Sequence, residues 1–246
     1  MVKADQNNSS QFYLSENNLP YSDFMVFGIS VDCVLFGYEK GTVKVLMIKR
    51  GASPFKNYWA LPGDLVNPQE DLDNSATHVL KKLTGLEDVF MEQFHSFGSV
   101  NRHPVGRVVT VGYYSLIKIE KYQPIASAWA DQLEWVNIDE LSELAFDHQD
   151  VLQKAIETLK KKVRTEPIGF ELLPDKFTLL ELQELYEVLL VYKFDKPNFR
   201  KKILSMNLLV SLKEVQDNVA HRPAKLFKFD ERRYMSLKKE GFSFEL

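Results

Sequence analysis

One cysteine, Cys33, in 246 residues excludes a disulfide scaffold and a multi-thiolate metal site, because both need at least two cysteines at workable spacing. Its place in the apolar run Val31 to Phe36 reads as a buried structural thiol. No stretch approaches the ~18 consecutive apolar residues of a membrane span. The polar start MVKADQNNSSQFYLSENNLPYSD lacks the apolar core of a secretion signal, so a soluble, cytoplasmic chain with no membrane partner is expected. Neither sign of charge predominates: 31 Lys and Arg stand against 34 Asp and Glu, a net charge of −3, which points to no partner for the chain as a whole. The hydrophobic content of 45% suffices for sizeable cores. The length exceeds the usual single-domain size, so two domains are expected.

Residues 1–22, rich in Asn and Ser, read as a mobile tail. Phe24 to Tyr38 and Val43 to Lys49 are β-branched and aromatic runs around Glu39-Lys40-Gly41, a hairpin signal. Lys49-Arg50 closes the second run, as a solvated strand end or as a pocket cation. Tyr58-Trp59-Ala60-Leu61 leads into a Pro62-Gly63 turn and a loop ending at Glu70. A helix of about three turns then runs from an Asp71/Asp73 cap to Gly85, a left-handed C-cap. Val89 to Val100 reads as a strand pair and Val108 to Ile119 as a strand of strong alternation. The loop between them carries Arg102 and Arg107 around Pro104 and Gly106, with His103 as a loop histidine. Guanidinium groups bind phosphates or sugar hydroxyls through several donors at once, so the two arginines are candidate ligand hands. Residues 122–133 look like a linker, and Glu134 to Leu141 like a last strand and turn. Asp147 is a good N-cap for a helix whose Val151, Ala155, Leu159 and Val163 recur at helical spacing.

Arg164 to Phe170 breaks that helix and opens a second domain. Thr178 and Glu181 form a capping box, and Leu182, Leu185, Tyr186 and Leu189 give the next helix an apolar face. Asp195-Lys196-Pro197 starts another, an N-cap with Pro in the first turn. There Phe199, Ile203 and Met206 face a core, while Lys196, Asn198, Arg200, Lys201, Lys202 and Ser205 lie outside it. Leu208 to Lys213 and Lys225 to Phe229 read as strands enclosing a wing at Glu214 to Ala224, which holds His221, Arg222 and Pro223. Two short helices, the second basic, followed by a hairpin, make a winged helix-turn-helix pattern. Charge agrees: residues 166–192 carry one Lys against six acids, whereas residues 193–228 carry nine Lys and Arg against three acids. A domain polarised in this way can present a basic face to phosphates within an acidic chain.

The frame around the first helix resembles the Nudix box, aligned on Gly85-Leu86. Glu70 keeps the box's first acid, but Asp64 stands at its opening glycine, His78-Val79 at its Arg-Glu pair and Lys82-Leu83 at its Glu-Glu pair; Gly63, Glu70 and Gly85 are the residual box. In the family those carboxylates hold Mg²⁺. Val79 and Leu83 offer no ligand atoms and Lys82 repels a cation, so the resemblance implies a pocket without a metal, a cofactor or a catalytic residue. Together with Glu166-Pro-Ile-Gly-Phe-Glu-Leu-Leu-Pro174, Asn198-Phe199-Arg200 and Arg222-Pro223-Ala224, the chain resembles the Nudix-related transcriptional regulators over residues 24–230. That group comprises the NrtR repressors of NAD metabolism and sugar-responsive AraR-like relatives.

The resemblance implies an α+β chain: a Nudix α/β/α sandwich with a mixed sheet over residues 23–163, and a winged helix over 164–246. It implies a repressor that binds a double-stranded DNA operator as a homodimer. Asn198, Arg200 and Lys201 would enter the major groove, Lys196 and Lys202 would hold phosphates, and His221, Arg222 and Lys225 would act from the wing. Arg50, Trp59, Arg102, Arg107, Asp147 and His148 are the candidate effector residues, although packing alone would explain Trp59 and capping alone would explain Asp147. Loss of the box acids favours a neutral effector, a pentose such as arabinose or xylose, with ADP-ribose the other candidate. The competing expectation is a Mg²⁺-dependent hydrolase that uses Glu70.

Overall fold

The computed structural model describes residues 28–39, 41–141, 143–217 and 223–246. The expected tail, the strand start at Phe24, the hairpin residue Lys40 and the wing residues His221 and Arg222 lie outside the described residues. Strands β1 (Gly28–Glu39), β2 (Thr42–Arg50), β3 (Trp59–Ala60) and β4 (Gly63–Leu65) precede helix α1 (Leu72–Thr84). Strands β5 (Glu92–Phe97), β6 (Val108–Ile117) and β7 (Ala130–Asn137) precede helix α2 (His148–Thr165). The sheet order is β3-β2-β1-β6-β5, with β4 on β1 and β7 on β2. Among the paired strands of the described residues, β1 and β6 run parallel and the other pairs are antiparallel.

Both faces of β1 are covered, so its side chains are apolar on both sides of the pleat. Val31, Cys33 and Leu35 pack with Ala76, Val79, Leu80 and Leu83 of α1. Val34 and Phe36 pack with Val151, Leu152, Ala155 and Leu159 of α2. Gly85 closes α1 at φ 70° and donates its N–H to Lys81 O. The first-turn acids work differently from the expected cap. Asp71 makes no side-chain cap bond, and Asp73 accepts from the Tyr113 hydroxyl at 2.5 Å, which ties the helix to the sheet.

Along its edge β1 changes partner: Phe36 to Glu39 pair with β2, and Ser30 to Asp32 pair with β4. The change sets Asp32 against Gly63, where a Cβ would meet Asp32 Oδ1 at 2.0 Å. Two expectations need correction. The strand pair over 89–100 is the single strand β5, because it pairs only with β6 and the chain then enters the loop through Gly98, Pro104 and Gly106. The linker over 122–133 becomes strand at Ala130, where pairing with Arg50 begins.

The second unit contains α3 (Leu179–Leu190), α4 (Lys196–Ser205), the hairpin β8 (Leu209–Val215) and β9 (Lys225–Phe229), and α5 (Glu231–Lys239). The capping box closes in both directions, Glu181 N–H to Thr178 Oγ1 at 3.1 Å and Thr178 N–H to Glu181 Oε2 at 2.7 Å. Asp195 caps α4 by accepting the Asn198 N–H at 3.1 Å. A reciprocal pair of backbone bonds between Phe177 and Phe227 adds a third extended segment to the hairpin. Helix α5 carries too few apolar residues to be read from periodicity; Asp230 caps it. The chain end returns to the last turn of α2, with Phe244 buried and the Leu246 N–H on Arg164 O. One apolar core runs from Phe36 and Val43 through α2 to Leu185, Tyr186 and Phe199. Among the described residues no helix is long and apolar enough to cross a membrane.

Between α3 and α4 the chain turns through Val191, at φ 52° and ψ 45°. A β-branched residue there is strained by about 1–2 kcal/mol. Val191 is 76% exposed, so little packing depends on it. Val191→Asn is expected to raise Tm by roughly 2–4 °C, measured by calorimetry on the full chain.

Candidate functional sites

A cavity of about 310 Å³ opens where β1 changes partner, lined among others by Asp32, Arg50, Asp64, Trp129, Phe146 and His148. Beside it Asp32 of β1, Arg102 of the β5–β6 loop, Asp147 of the loop entering α2 and His148 of its first turn form a largely buried cluster of polar groups. Arg102 grips Asp147 with two donors, Nε to Oδ2 at 2.8 Å and Nη2 to Oδ1 at 2.6 Å, and gives Nη1 to Thr110. Its Nη2 also stands 3.5 Å from Asp32 Oδ2. His148 Nδ1 accepts the Leu61 N–H at 2.9 Å, which leaves the ring proton on Nε2, 3.5 Å from Asp32 Oδ1. Burial pushes the Asp32 carboxyl up to about 7, against the pull of Arg102. Burial also pushes the His148 imidazole down to about 3. Both groups thus favour their neutral forms, as desolvation dictates.

Arg50 closes another wall. Its guanidinium lies 4.5 Å from the Trp129 ring and 4.9 Å from Phe146, with Nε on Pro54 O. Burial lowers its pKa from the ordinary value. Phe146, at φ 54°, stacks on His103 at 5.1 Å, so the loop histidine joins the pocket wall.

The expected effector residues therefore separate. Arg50 and His148 line the cavity. Arg102 and Asp147 stand behind it and bond each other, so the Asp147 carboxylate serves Arg102 instead of capping α2. Trp59 pairs through β3 with β2 and packs on the core, leaving the aromatic faces of the pocket to Trp129 and Phe146. Arg107 lies outside the cavity wall and donates Nη1 to Gly98 O. Asp32 was missed. Its flanking Val31 and Cys33 mark it as one polar residue in a buried strand, a signal visible in the sequence without any hint of its partners.

The residues at the box positions are tied to one another. Glu70 accepts from Ser75 Oγ at 3.1 Å and meets His78 Nδ1 at 3.0 Å. Lys82 Nζ lies 3.0 Å from Asp64 Oδ2. Val79 and Leu83 are in the core. Among the described residues no three His, Cys, Asp or Glu side chains converge as a metal site would require. The side chains present do not fit a Mg²⁺ cage, which needs several oxygen ligands and no adjacent cation.

On α4 the spacing puts Asn198, Lys201, Lys202 and Ser205 on one exposed face, opposite the buried Phe199 and Ile203. Lys196 is also exposed. Arg200 is half-buried on the flank, its Nε without a hydrogen-bond partner. Lys225 is exposed at the start of β9. Glu187 stiffens the turn before α4 by binding Lys193 Nζ, Gln183 Nε2 and the Phe194 N–H.

A helix-flanked mixed sheet with a Nudix-box frame, continued by a basic winged helix, defines the class: a Nudix-related, DNA-binding regulator. Residues 26–159 match the NUDIX domain and residues 169–229 the NrtR DNA-binding winged helix domain. The chain is 35% identical over 213 residues to the ADPR responsive transcriptional repressor NtrR of Acinetobacter baylyi, covering 85% of this chain and 84% of that protein. Shewanella oneidensis NrtR complexed with a 27mer DNA superimposes with a TM-score of 0.73 at 29% identity, over 88% of this chain and 97% of that one. The NUDIX domain of the same protein complexed with ADP ribose gives 0.52 at 30% identity, over 58% and 95%. The chain belongs to the NrtR family of Nudix-domain transcriptional regulators.

The two shifted groups oppose each other in pH. Folded Asp32 keeps a proton that the unfolded chain loses between 3.8 and about 7, so its contribution to stability falls as pH rises through that window. Folded His148 lacks a proton that the unfolded chain holds between about 3 and 6.5, so its contribution rises with pH. Asp32→Asn removes only the first. The expected outcome is a Tm that climbs more steeply from pH 4 to 6.5 than in the wild type, read by thermal denaturation across buffers.

Proposed function

We propose that this chain is a DNA-binding transcriptional repressor whose Nudix unit, residues 23–163, holds ADP-ribose as an effector without hydrolysing it. Residues 164–246 serve as the DNA-binding unit. The observation that carries the reading is the union, in one chain, of a charged Nudix pocket and an exposed basic α4 face, matched along most of its length to an ADPR-responsive repressor. The preference for a free pentose gives way to ADP-ribose because the solved relative's Nudix domain carries that ligand. Arg50 supplies the cation such an anion needs at the pocket wall. Absence of turnover is supported by the Lys82–Asp64 and His78–Glu70 pairs and by the apolar Val79 and Leu83.

On DNA, Asn198, Arg200 and Lys201 read base edges from the major groove, and Lys196, Lys202 and Lys225 hold phosphates. A homodimer on a palindromic site belongs to the same reading. The hydrolase alternative rests on Glu70 alone, whose carboxylate oxygens are already engaged by Ser75 and His78. Mg²⁺-dependent cleavage of ADP-ribose, abolished by Glu70→Gln, would establish it.

Gel-shift titrations test the whole. The wild type is expected to bind an operator from its own promoter region and to change affinity when ADP-ribose is added. Lys202→Ala should weaken all duplexes alike and flatten the log K against log salt slope by about one unit. Arg200→Ala should cost about 1–3 kcal/mol and relax sequence preference. Unaltered binding by both variants would remove α4 as the reading helix.

A further inference from the structure

We propose that Asp32 is the residue that reads sugar hydroxyls in the pocket, so that the ligand group seated beside it is a pentose ring. This deepens the effector reading above and rests on it. The ring could come from free pentose or from the terminal ribose of ADP-ribose.

The unspent acceptor of Asp32 is the starting observation. Its side chain is 6% exposed, it lines the cavity, and its Oδ2 has no hydrogen-bond partner. The Thr110 hydroxyl serves the carboxyl, while the Arg102 and His148 donors beside it are held elsewhere. Arg102 commits Nε and Nη2 to Asp147 and Nη1 to Thr110, leaving Asp32 at 3.5 Å. His148 is turned by the Leu61 N–H and also stops at 3.5 Å. Neither separation is a normal hydrogen bond. A buried polar atom left without a partner is costly, and a donor arriving in the cavity would remove that cost.

The chemistry of the donor follows from the surroundings. The unpartnered Oδ2 takes a donor, which a sugar hydroxyl supplies, whereas a phosphate brings only acceptors to it and negative charge toward Asp64. Gly63, opposite Asp32, leaves room for the carboxyl itself, since a Cβ there would strike Oδ1 at 2.0 Å. Trp129 and Phe146 add aromatic faces. The volume of about 310 Å³ stands at the small end of ligand pockets, which suits one sugar ring better than a whole nucleotide sugar. The phosphates of ADP-ribose would then lie toward Arg50 and the pocket mouth.

Calorimetric titration of the full-length wild type, Asp32→Ala and the near-isosteric Asp32→Asn against ADP-ribose, ADP, arabinose, xylose and ribose tests this. ADP is the control because it lacks the terminal ribose. Asp32→Ala is expected to lose on the order of 10- to 100-fold in affinity for the ring-bearing ligand, and Asp32→Asn, which keeps an acceptor, to lose less. Any ADP binding should be unchanged in both. Wild-type binding of a free pentose but not ADP-ribose would assign the ring to the free sugar, with the same loss in Asp32→Ala. Should Asp32→Ala fail to fold, Asp32→Asn still decides by a selective loss for the ring-bearing ligand. Equal affinities across the folded variants, or a parallel loss for ADP and ADP-ribose, would overturn the role of Asp32 while leaving the effector pocket standing. A wild type that binds none of these ligands would overturn both.

Discussion

Apolar burial along α2 is the constraint on which the remaining structure depends. Val151, Ala155, Leu159 and Val163 lie in one stripe, and the core they help build spans the sheet and the winged helix without interruption. The helix begins at the charge cluster of the pocket and ends where Arg164 O holds the last residue of the chain. A displacement at its first turn therefore acts on an element packed against both units. Any ligand effect on DNA must still come from different affinities for two arrangements of that packing, because occupancy alone shifts no equilibrium. Close-packed interiors favour discrete rearrangements over graded ones.

The pocket illustrates how burial turns ordinary charged residues into fixed parts. Arg102 and Asp147 satisfy each other bidentately, which offsets much of the desolvation of both. Asp32 and His148 sit beside them without equivalent partners and shift toward neutrality. At the Nudix-box positions the polar contacts lie nearer the surface, with Lys82 on Asp64 and His78 on Glu70, where such pairs are of modest strength.

Much of this was legible in the residues. Gly85 as a left-handed cap, the Thr178–Glu181 capping box and the Asp195 cap all depend on local backbone geometry, and each formed as expected. The basic face of α4 followed from 3.6-residue periodicity, since Phe199 and Ile203 fix which side is buried. Arg102 was visible as a loop arginine, yet its partners Asp147 and Thr110 lie 45 and 8 positions away. The pocket's aromatic faces came from Trp129 and Phe146 because β7 and the α2 entry loop converge there, which no local pattern encodes. Helix α5 escaped because its apolar residues are too sparse to mark a face.

By itself the sequence determined what short-range rules govern: where helices start and stop, which residues of a strand are buried and the charge polarity of the second unit. Those properties depend on neighbours a few positions apart. Only the tertiary structure decided which buried polar residues meet. That pairing depends on β1 exchanging β2 for β4 along one edge and on α2 docking across the sheet. Asp32 owes its unpartnered Oδ2 to that arrangement: Arg102, from a distant loop, and His148, from the start of α2, each stop 3.5 Å from its carboxyl oxygens.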